Sequence, residues 1–216
     1  MLAGTVHAFS YLFIIILVTG PAFGFFWMVS RHLQYDLQEL TLKDQLTGIL
    51  NRRGFDSLAH REFLKRNKLK KHLTVMMLDI DHFKKINDNF GHHIGDQILI
   101  EFSTLISQCL RPSDIFARVA GEEFVIVLPF HDESEAVNKA KQLVKSVELH
   151  LFNSDQYKIR VTTSIGVASI HSQSETLDDL LLKADQALYA SKNSGRNQVT
   201  LFETNTIMHN FILATN

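Results

Sequence analysis

The stretch FARVAGEEFVIVL, residues 116–128, decides the fold of this 216-residue chain. Two β-favouring runs flank Ala120-Gly121, the small, turn-permissive pair between them, and this pattern predicts a β-hairpin. Glu122 and Glu123 then lie at the tip of the hairpin, beside a backbone that Gly121 leaves open to close approach. Adjacent carboxylates on the lip of a buried strand need a positive charge nearby. A solvated turn with ordinary surface glutamates is the alternative interpretation.

Composition indicates one domain of ordinary size with an appendage, since 45% of the 216 residues are hydrophobic. The net charge of −1 and the pI near 6.8 provide no global basic field, so DNA and RNA are not expected as partners. The single cysteine, Cys109, excludes an intramolecular disulfide and suits a reducing compartment.

An uncharged apolar run opens the chain. Residues 2–30 contain no Asp, Glu, Lys or Arg, and about 20 such residues span a bilayer core as a helix. Trp27 suits the interfacial end of a span, and the absence of a basic n-region argues against a secretory signal peptide. Because Arg31 and Lys43 follow the run, the positive-inside tendency places the rest of the chain in the cytoplasm. We expect a single transmembrane helix at residues 1–30, in the cytoplasmic (inner) membrane of a bacterium.

The remaining chain divides into a stalk, a domain and a tail. Leucines at helical spacing predict a helical stalk at residues 31–43. Residues 44–203 alternate strand-like and helix-like segments, which predicts one α/β or α+β sheet covered by helices. No role is assigned to the mildly apolar tail at residues 204–216. Besides the hairpin, strands are expected at residues 73–78, 159–169 and 198–202, and helices at 51–70, 82–90, 96–110, 133–148 and 176–192.

Carboxylates also follow the first strand of the domain, in the run Leu78-Asp79-Ile80-Asp81. Ligands bind beyond such strand ends in open sheets. If this strand lies beside the hairpin, Asp79 and Asp81 approach the two glutamates at the tip. Asp81 is not assigned as a ligand, because alternate strand residues face away. A carboxylate cluster favours Mg²⁺ or Mn²⁺ over zinc. Two hard cations with basic residues nearby are the parts that phosphoryl or nucleotidyl transfer requires.

Five ordered blocks of the sequence carry a family resemblance. They are DQLTGILNRRGF, LDIDHFKKINDNFGHHIGDQIL, FARVAGEEFVIVLP, VTTSIGVAS and ADQALYASKNSGRNQV. Collinear over about residues 42–202, they resemble the GGDEF family of diguanylate cyclases. The resemblance implies an α+β fold similar to the polymerase palm, with about five mainly antiparallel strands and helices on both faces. It also implies that a homodimer condenses two GTP into cyclic di-GMP and pyrophosphate, each active site binding one GTP.

The resemblance assigns the catalytic and metal-binding residues. Asp79, the carbonyl of Ile80, Glu122 and Glu123 would bind Mg²⁺ or Mn²⁺. Glu122 would also be catalytic, because it would assist deprotonation of the GTP 3′-hydroxyl. Lys84 would be the second catalytic residue and would meet phosphate charge.

The resemblance also assigns substrate-binding residues. Asn87 and Asp96 would read the guanine edge, and His92 would lie near the base or ribose. Lys192 and Arg196 would hold the triphosphate, where cations are needed. Taken singly, the first pair could be helix caps and the last pair ordinary charges at a helix C-terminus.

Two features concern regulation and activity. Ala120 stands where the family usually has Gly, which costs about 1–2 kcal/mol if that position needs a positive φ and is tolerated if only Gly121 does. Arg111 and Asp114 match the family's inhibitory RxxD motif, five residues before the signature, and would bind the product; a loop ion pair is the alternative. The alternative function is a catalytically weak module that binds GTP or cyclic di-GMP as a receptor.

Overall fold

A computed structural model describes residues 16–17, 19–31, 42–69, 72–154, 157–172 and 174–203. The chain divides into two compact units, Met1–Thr41 and Leu42–Asn216. In the first unit, residues 16–17 and 19–31 are helical. Within the described residues, no helix has both the length and the apolar character needed to cross a membrane. Much of the expected transmembrane segment, most of the stalk and the tail lie outside the described residues, so these remain predictions.

A five-stranded sheet forms the centre of the second unit, in the order β2-β3-β1-β6-β7. All neighbours in it are antiparallel except β6 and β7, which are parallel. A separate hairpin pairs β4 with β5. The mainly antiparallel five-stranded sheet is confirmed. The strands are β1 (Leu73–Ile80), β2 (Ile115–Ala120), β3 (Glu123–Pro129), β4 (Phe152–Ser154), β5 (Tyr157–Ile159), β6 (Thr163–Ser169) and β7 (Val199–Leu201).

Five helices cover both faces of this sheet, because successive strand residues point to opposite sides. Met76 and Leu78 of β1 pack in the core formed with α2, α3 and α4. Leu73 and Val75 pack in the core formed with α1 and α5. Helices on both faces are therefore confirmed. The helices are α1 (Arg52–Leu69), α2 (Phe83–Phe90), α3 (His92–Gln108), α4 (Glu133–Leu149) and α5 (Leu177–Asn193).

The signature hairpin forms as predicted, but its turn lies one residue further along the chain than the expected Ala120-Gly121 pair. β2 ends at Ala120 and β3 begins at Glu123, so Gly121 and Glu122 form the turn. Gly121 has a φ of 38°, whereas Ala120 keeps a negative φ. The left-handed position therefore falls to the glycine alone, and Ala120 sits in a strand that any L-residue can adopt.

Two expected elements were wrong in their bounds. The strand expected at residues 159–169 is two strands, because Ile159 pairs in the small hairpin and Thr163 starts the central sheet. The helix expected from residue 96 already begins at His92, where Gly91 with a φ of 86° separates it from α2. Asp96 thus lies one turn inside α3 and is not a cap.

Candidate active site

The candidate site lies at the end of β1 where the hairpin tip adjoins it. β1 is the middle strand, and Asp79 pairs with Glu123 of β3 on one side and with Ser164 of β6 on the other. The backbone N–H of Ile80 donates to the carbonyl of Glu122 at 3.4 Å. The fold therefore brings the carboxylates of the first strand to the tip of the hairpin.

Asp79 is a buried carboxylate with too little positive charge around it. Its residue is only 6% exposed, and its Oδ2 lies 2.7 Å from Nζ of Lys192. The pKa of Asp79 is raised to about 6, because burial together with the charges of Glu122 and Glu123 outweighs the contact with Lys192, which lowers it. A carboxylate that remains hard to ionise even beside a lysine fits a site completed by a divalent cation.

The predicted ligands are neighbours without forming a finished set. Glu122 is half-buried and Glu123 is exposed. Across the described ranges, no three acidic, histidine or cysteine side chains are gathered as metal ligands. Oxygen donors such as Asp79, the Ile80 carbonyl and the two glutamates suit a hard cation by their chemistry. Side-chain movement is needed to complete the set.

Asp81 is a site residue that the sequence interpretation passed over. Its carboxylate is 4% exposed and accepts hydrogen bonds from Thr162 Oγ1 at 2.7 Å, Ser164 Oγ at 2.7 Å and the backbone N–H of Asn197 at 3.0 Å. Asp81 lies just beyond β1, which ends at Ile80, and its role as a ligand stays excluded only by the prediction from sequence. Asp81 fastens the end of β1 to the start of β6 and to the turn after α5.

The two cations predicted for the triphosphate lie close together along the chain. Lys192 belongs to the last turn of α5. Arg196 is exposed in the following turn, with a φ of 65°, and its backbone N–H donates to the Ser191 carbonyl at 3.1 Å. Lys192 contacts Asp79, so it is more than an ordinary charge favoured by a helix C-terminus.

The guanine-reading residues lie on the packed pair α2 and α3. Asn87 is inside α2, and its Oδ1 is buried without a hydrogen-bond partner. A Cβ added to Gly95 of α3 would lie 1.9 Å from that oxygen. A buried, unpaired amide oxygen is suited to accept from a ligand donor. Asp96, His92 and Lys84 are exposed on the same two helices.

Comparison with known proteins decides the family. The family profile described as "Diguanylate cyclase, GGDEF domain" matches residues 41–198. The chain belongs to the GGDEF family. Diguanylate cyclase A of Treponema denticola is 40% identical over 172 residues, 78% of this chain and 46% of that protein. Probable diguanylate cyclase DgcF of Escherichia coli K12 is 40% identical over 161 residues, 73% of this chain and 50% of that protein. The chain spans about half the length of these relatives.

Solved structures of the family have the same fold. The GGDEF domain of DgcB from Caulobacter crescentus, in complex with c-di-GMP, superposes with a TM-score of 0.72 at 31% identity, covering 76% of this chain and 94% of that chain. The active GGEEF domain of a diguanylate cyclase from Vibrio cholerae has a TM-score of 0.66 at 32% identity, covering 72% and 98%.

The GGDEF signature turn is supported by hydrogen bonds of an arginine side chain, which the sequence did not reveal. Arg118 Nε donates to the Gly121 carbonyl at 2.7 Å, and Nη1 lies 3.1 Å from Asp44 Oδ1. Thr47 donates to the same Asp44 oxygen through its backbone N–H at 2.9 Å and its hydroxyl at 2.7 Å. Burial raises the pKa of Asp44, but these hydrogen bonds and the arginine lower it by more, so the result lies below the ordinary 3.8. The adjoining cavity of about 440 Å³ is lined by Asp44, Asn51, Arg52, Arg53, Arg118, Val119, Ala120 and Gly121.

The RxxD residues lie at the opposite end of β2 from the GGDEF signature. Asp114 Oδ2 accepts from the backbone N–H of Arg111 at 2.9 Å, and the Asp114 N–H donates to the Arg111 carbonyl at 3.0 Å. In the described residues the two side chains form no ion pair, so the loop ion pair considered from sequence is not what holds this turn. Arg111 is exposed.

Proposed function

We propose that the chain is a diguanylate cyclase, which condenses two GTP into cyclic di-GMP and releases pyrophosphate. The observation that carries this proposal is the register of the central strands. It pairs Asp79 with Glu123 and joins Ile80 to Glu122, inside the region that matches the family. The names of the relatives support the same activity.

The carboxylates have separate tasks in this reaction. Asp79, the Ile80 carbonyl and Glu123 hold Mg²⁺ or Mn²⁺. Glu122, half-buried at the hairpin tip, takes part in holding the metal and assists removal of the proton from the 3′-hydroxyl of GTP. The bound metal would neutralise phosphate charge and make that hydroxyl more acidic. Lys84 adds a positive charge for the phosphates.

The remaining site residues select and orient GTP. The unpaired Oδ1 of Asn87 accepts from guanine, whose Watson–Crick edge carries N–H donors, and Asp96 provides a second acceptor. His92 lies on the first turn of α3 and contacts the base or ribose. Lys192 and Arg196 bind the triphosphate, because ammonium and guanidinium groups make charge-assisted hydrogen bonds to phosphate.

Assembly and control complete the proposal. One domain carries one set of GTP-binding residues, so two copies must face each other for both 3′-hydroxyls to react. The uncharged run at residues 2–30 anchors each copy in the inner membrane, with the domain in the cytoplasm, and raises the local concentration of partners. Arg111 and Asp114 bind cyclic di-GMP and limit its synthesis.

The test uses the full chain in detergent, incubated with GTP and Mg²⁺, with cyclic di-GMP measured by mass spectrometry. We expect product from the unmodified chain, none from Glu122→Gln, and full product from Glu133→Gln, which changes a glutamate at the start of α4 that pairs with His171 rather than with the carboxylates of the site. Product from Glu122→Gln at the normal rate would refute the catalytic assignment.

A receptor is the second candidate function, and the contacts of the carboxylates favour it. Lys192 already neutralises Asp79, and the described carboxylates form no ready ligand set, as expected of a domain that never takes up a metal. Retained GTP or cyclic di-GMP binding without any product would establish this second function.

A further inference from the structure

Lys192 forms an ion pair with Asp79, the carboxylate that we assign to the metal. Its Nζ lies 2.7 Å from Asp79 Oδ2, with the two side chains 28% and 9% exposed. Among the described residues, this is the one ion pair that Asp79 forms. The carboxylate assigned to the metal is therefore already paired with a cation that belongs to the protein.

We propose that Lys192 is an exchangeable counter-cation, which neutralises Asp79 before loading and moves to the GTP triphosphate when the metal enters. The inference rests on the proposed function, because it concerns the same metal and nucleotide. An ammonium and a divalent ion repel each other strongly at contact distance in a partly buried site. Lys192 must therefore release Asp79 before that carboxylate can serve as a ligand.

The base of the Lys192 side chain is fixed, so the exchange needs only side-chain motion. The neighbouring Ser191 is fully buried, and its Oγ donates to the Ile165 carbonyl at 3.0 Å and lies within hydrogen-bond distance of Thr200 Oγ1, at 2.7 Å. This clamps the last turn of α5 against β6 and β7. The four-carbon stem of lysine and its three rotatable donors are suited to exchange one anion for another.

Exchange of this kind couples the two ligands. Without nucleotide, Lys192 competes with the metal and weakens its binding. With nucleotide, the triphosphate attracts Lys192 and frees Asp79, so each ligand promotes the binding of the other by the same factor. A divalent cation alone then binds weakly, and the same cation binds tightly when GTP is present.

The test measures Mn²⁺ binding to the full chain by electron paramagnetic resonance, first without nucleotide, in the unmodified protein and in Lys192→Met. We expect the variant to bind Mn²⁺ roughly three- to tenfold more tightly, because the ion no longer has to displace a lysine from the mostly buried Asp79. The same variant should bind a non-hydrolysable GTP analogue several-fold more weakly. Opposite changes for the two ligands are the signature of exchange, because a structural role for Lys192 would weaken both.

Two control variants separate contact from general charge. Lys192→Arg keeps a cation on the same residue and should leave the Mn²⁺ affinity low. Arg196→Met removes one positive charge four residues further on, where no ion pair with Asp79 is formed in the described structure, and should change Mn²⁺ affinity less than Lys192→Met. Equal tightening by Arg196→Met would overturn the role of the contact.

Failure of the inference is distinguishable from failure of the proposed function. Equal Mn²⁺ affinity in the unmodified chain and in Lys192→Met would overturn the exchange while leaving the metal site in place. Weaker binding of both ligands to Lys192→Met would also overturn it. Absence of Mn²⁺ binding from every variant, with or without nucleotide, would overturn the metal site and the exchange together.

Discussion

Arg118 and Asp44 connect segments 74 residues apart in sequence, with Nη1 of Arg118 3.1 Å from Asp44 Oδ1. Their side chains are only 15% and 22% exposed. The same guanidinium also donates to the Gly121 carbonyl. The turn that carries Glu122 is thereby attached to the segment through which the chain enters the domain.

Removal of Arg118 should loosen this attachment. We expect Arg118→Ala to lower the free energy of unfolding by about 1–3 kcal/mol, because the Asp44 carboxylate and the Gly121 carbonyl lose a charged donor. Cyclase activity should fall further than stability accounts for, since the Glu122 turn loses its support. Urea unfolding and initial rates at saturating GTP measure the two effects.

The matched control for Arg118→Ala is Asp44→Asn, combined with it in a double-mutant cycle. Direct contact predicts a double variant clearly less destabilised than the sum of the single ones. Additive free energies would show that the two residues act separately.

Exchange of the two small residues at the hairpin tip should have unequal results. Because Ala120 has a negative φ in β2 and Gly121 has a φ of 38°, Ala120→Gly should leave the cyclase rate within twofold and cost about 0.5–1 kcal/mol through the flexibility of glycine in a strand. Gly121→Ala should cost about 1–2 kcal/mol through a strained left-handed residue, and should also slow turnover. Denaturant titration and product formation compare the pair; a strong gain of activity in Ala120→Gly would contradict the geometry.

The hairpin and most helices could be predicted from the sequence because they depend on local pattern. Asn51 is a residue type that favours the N-cap position and directly precedes α1, and its Oδ1 accepts from the Gly54 N–H at 2.9 Å. The turn at Gly121 follows from the only glycine between two apolar runs. Local pattern and turn chemistry agree in these segments, which makes such predictions reliable.

What the sequence could not show depends on contacts between distant segments. The run from Ile159 to Ser169 alternates throughout, and alternation does not tell which of two sheets a residue joins. The hydrogen bonds to Asp81 come from residues at least 81 positions away. The contact between Arg118 and Asp44, which supports the signature turn, also joins distant segments. The family resemblance assigned roles to site residues, but it gave no sign that Lys192 contacts Asp79.

Gly95 should be required for guanine recognition rather than for folding of α3. In Gly95→Ala, the new Cβ would meet Asn87 Oδ1 at 1.9 Å and displace the amide that we assign to guanine. We expect the KM for GTP to rise at least about tenfold, the effect of one displaced hydrogen bond to a ligand, with a smaller change in kcat. Steady-state kinetics measure this change.

Asn87→Ala is the companion variant for Gly95→Ala. Because both variants remove the same contact, the double variant should have nearly the KM of either single one. Independent, multiplicative increases in KM would argue that Gly95 acts elsewhere.

Asp81 should act by positioning the turn after α5. In Asp81→Asn, an amide N–H₂ would face donors that now point at a carboxylate, and we expect a loss of about 1–3 kcal/mol in unfolding free energy. The KM for GTP should rise because the Asn197 backbone, next to Arg196, loses its anchor. Kinetics and thermal unfolding are compared with Asp88→Asn, an exposed change on α2. An unaltered KM in a destabilised protein would limit Asp81 to folding.

Glu175 should make the domain sensitive to acid. Burial raises its pKa, but hydrogen bonds from Lys183, Ser172 and His171 outweigh burial and lower it to about 2, from an ordinary 4.5. Because the folded pKa is the lower one, the stabilisation is complete above about pH 4.5 and disappears as the pH falls towards 2. Unfolding free energies measured across this window should depend less steeply on pH in Glu175→Gln than in Asp88→Asn, which changes an exposed carboxylate on α2. Parallel curves would refute the assignment.

The direction of the last strand has a practical consequence for building sensors from this domain. β7 runs parallel to β6, whose first residue Thr163 pairs with Ile80 beside the carboxylates. Leu201 pairs with Val167, so the described chain leaves the sheet away from that end. A fluorescent protein joined at Glu203 would stand clear of the nucleotide that we place beside these carboxylates. Energy transfer between two such labels would then test the proposed pairing of two copies.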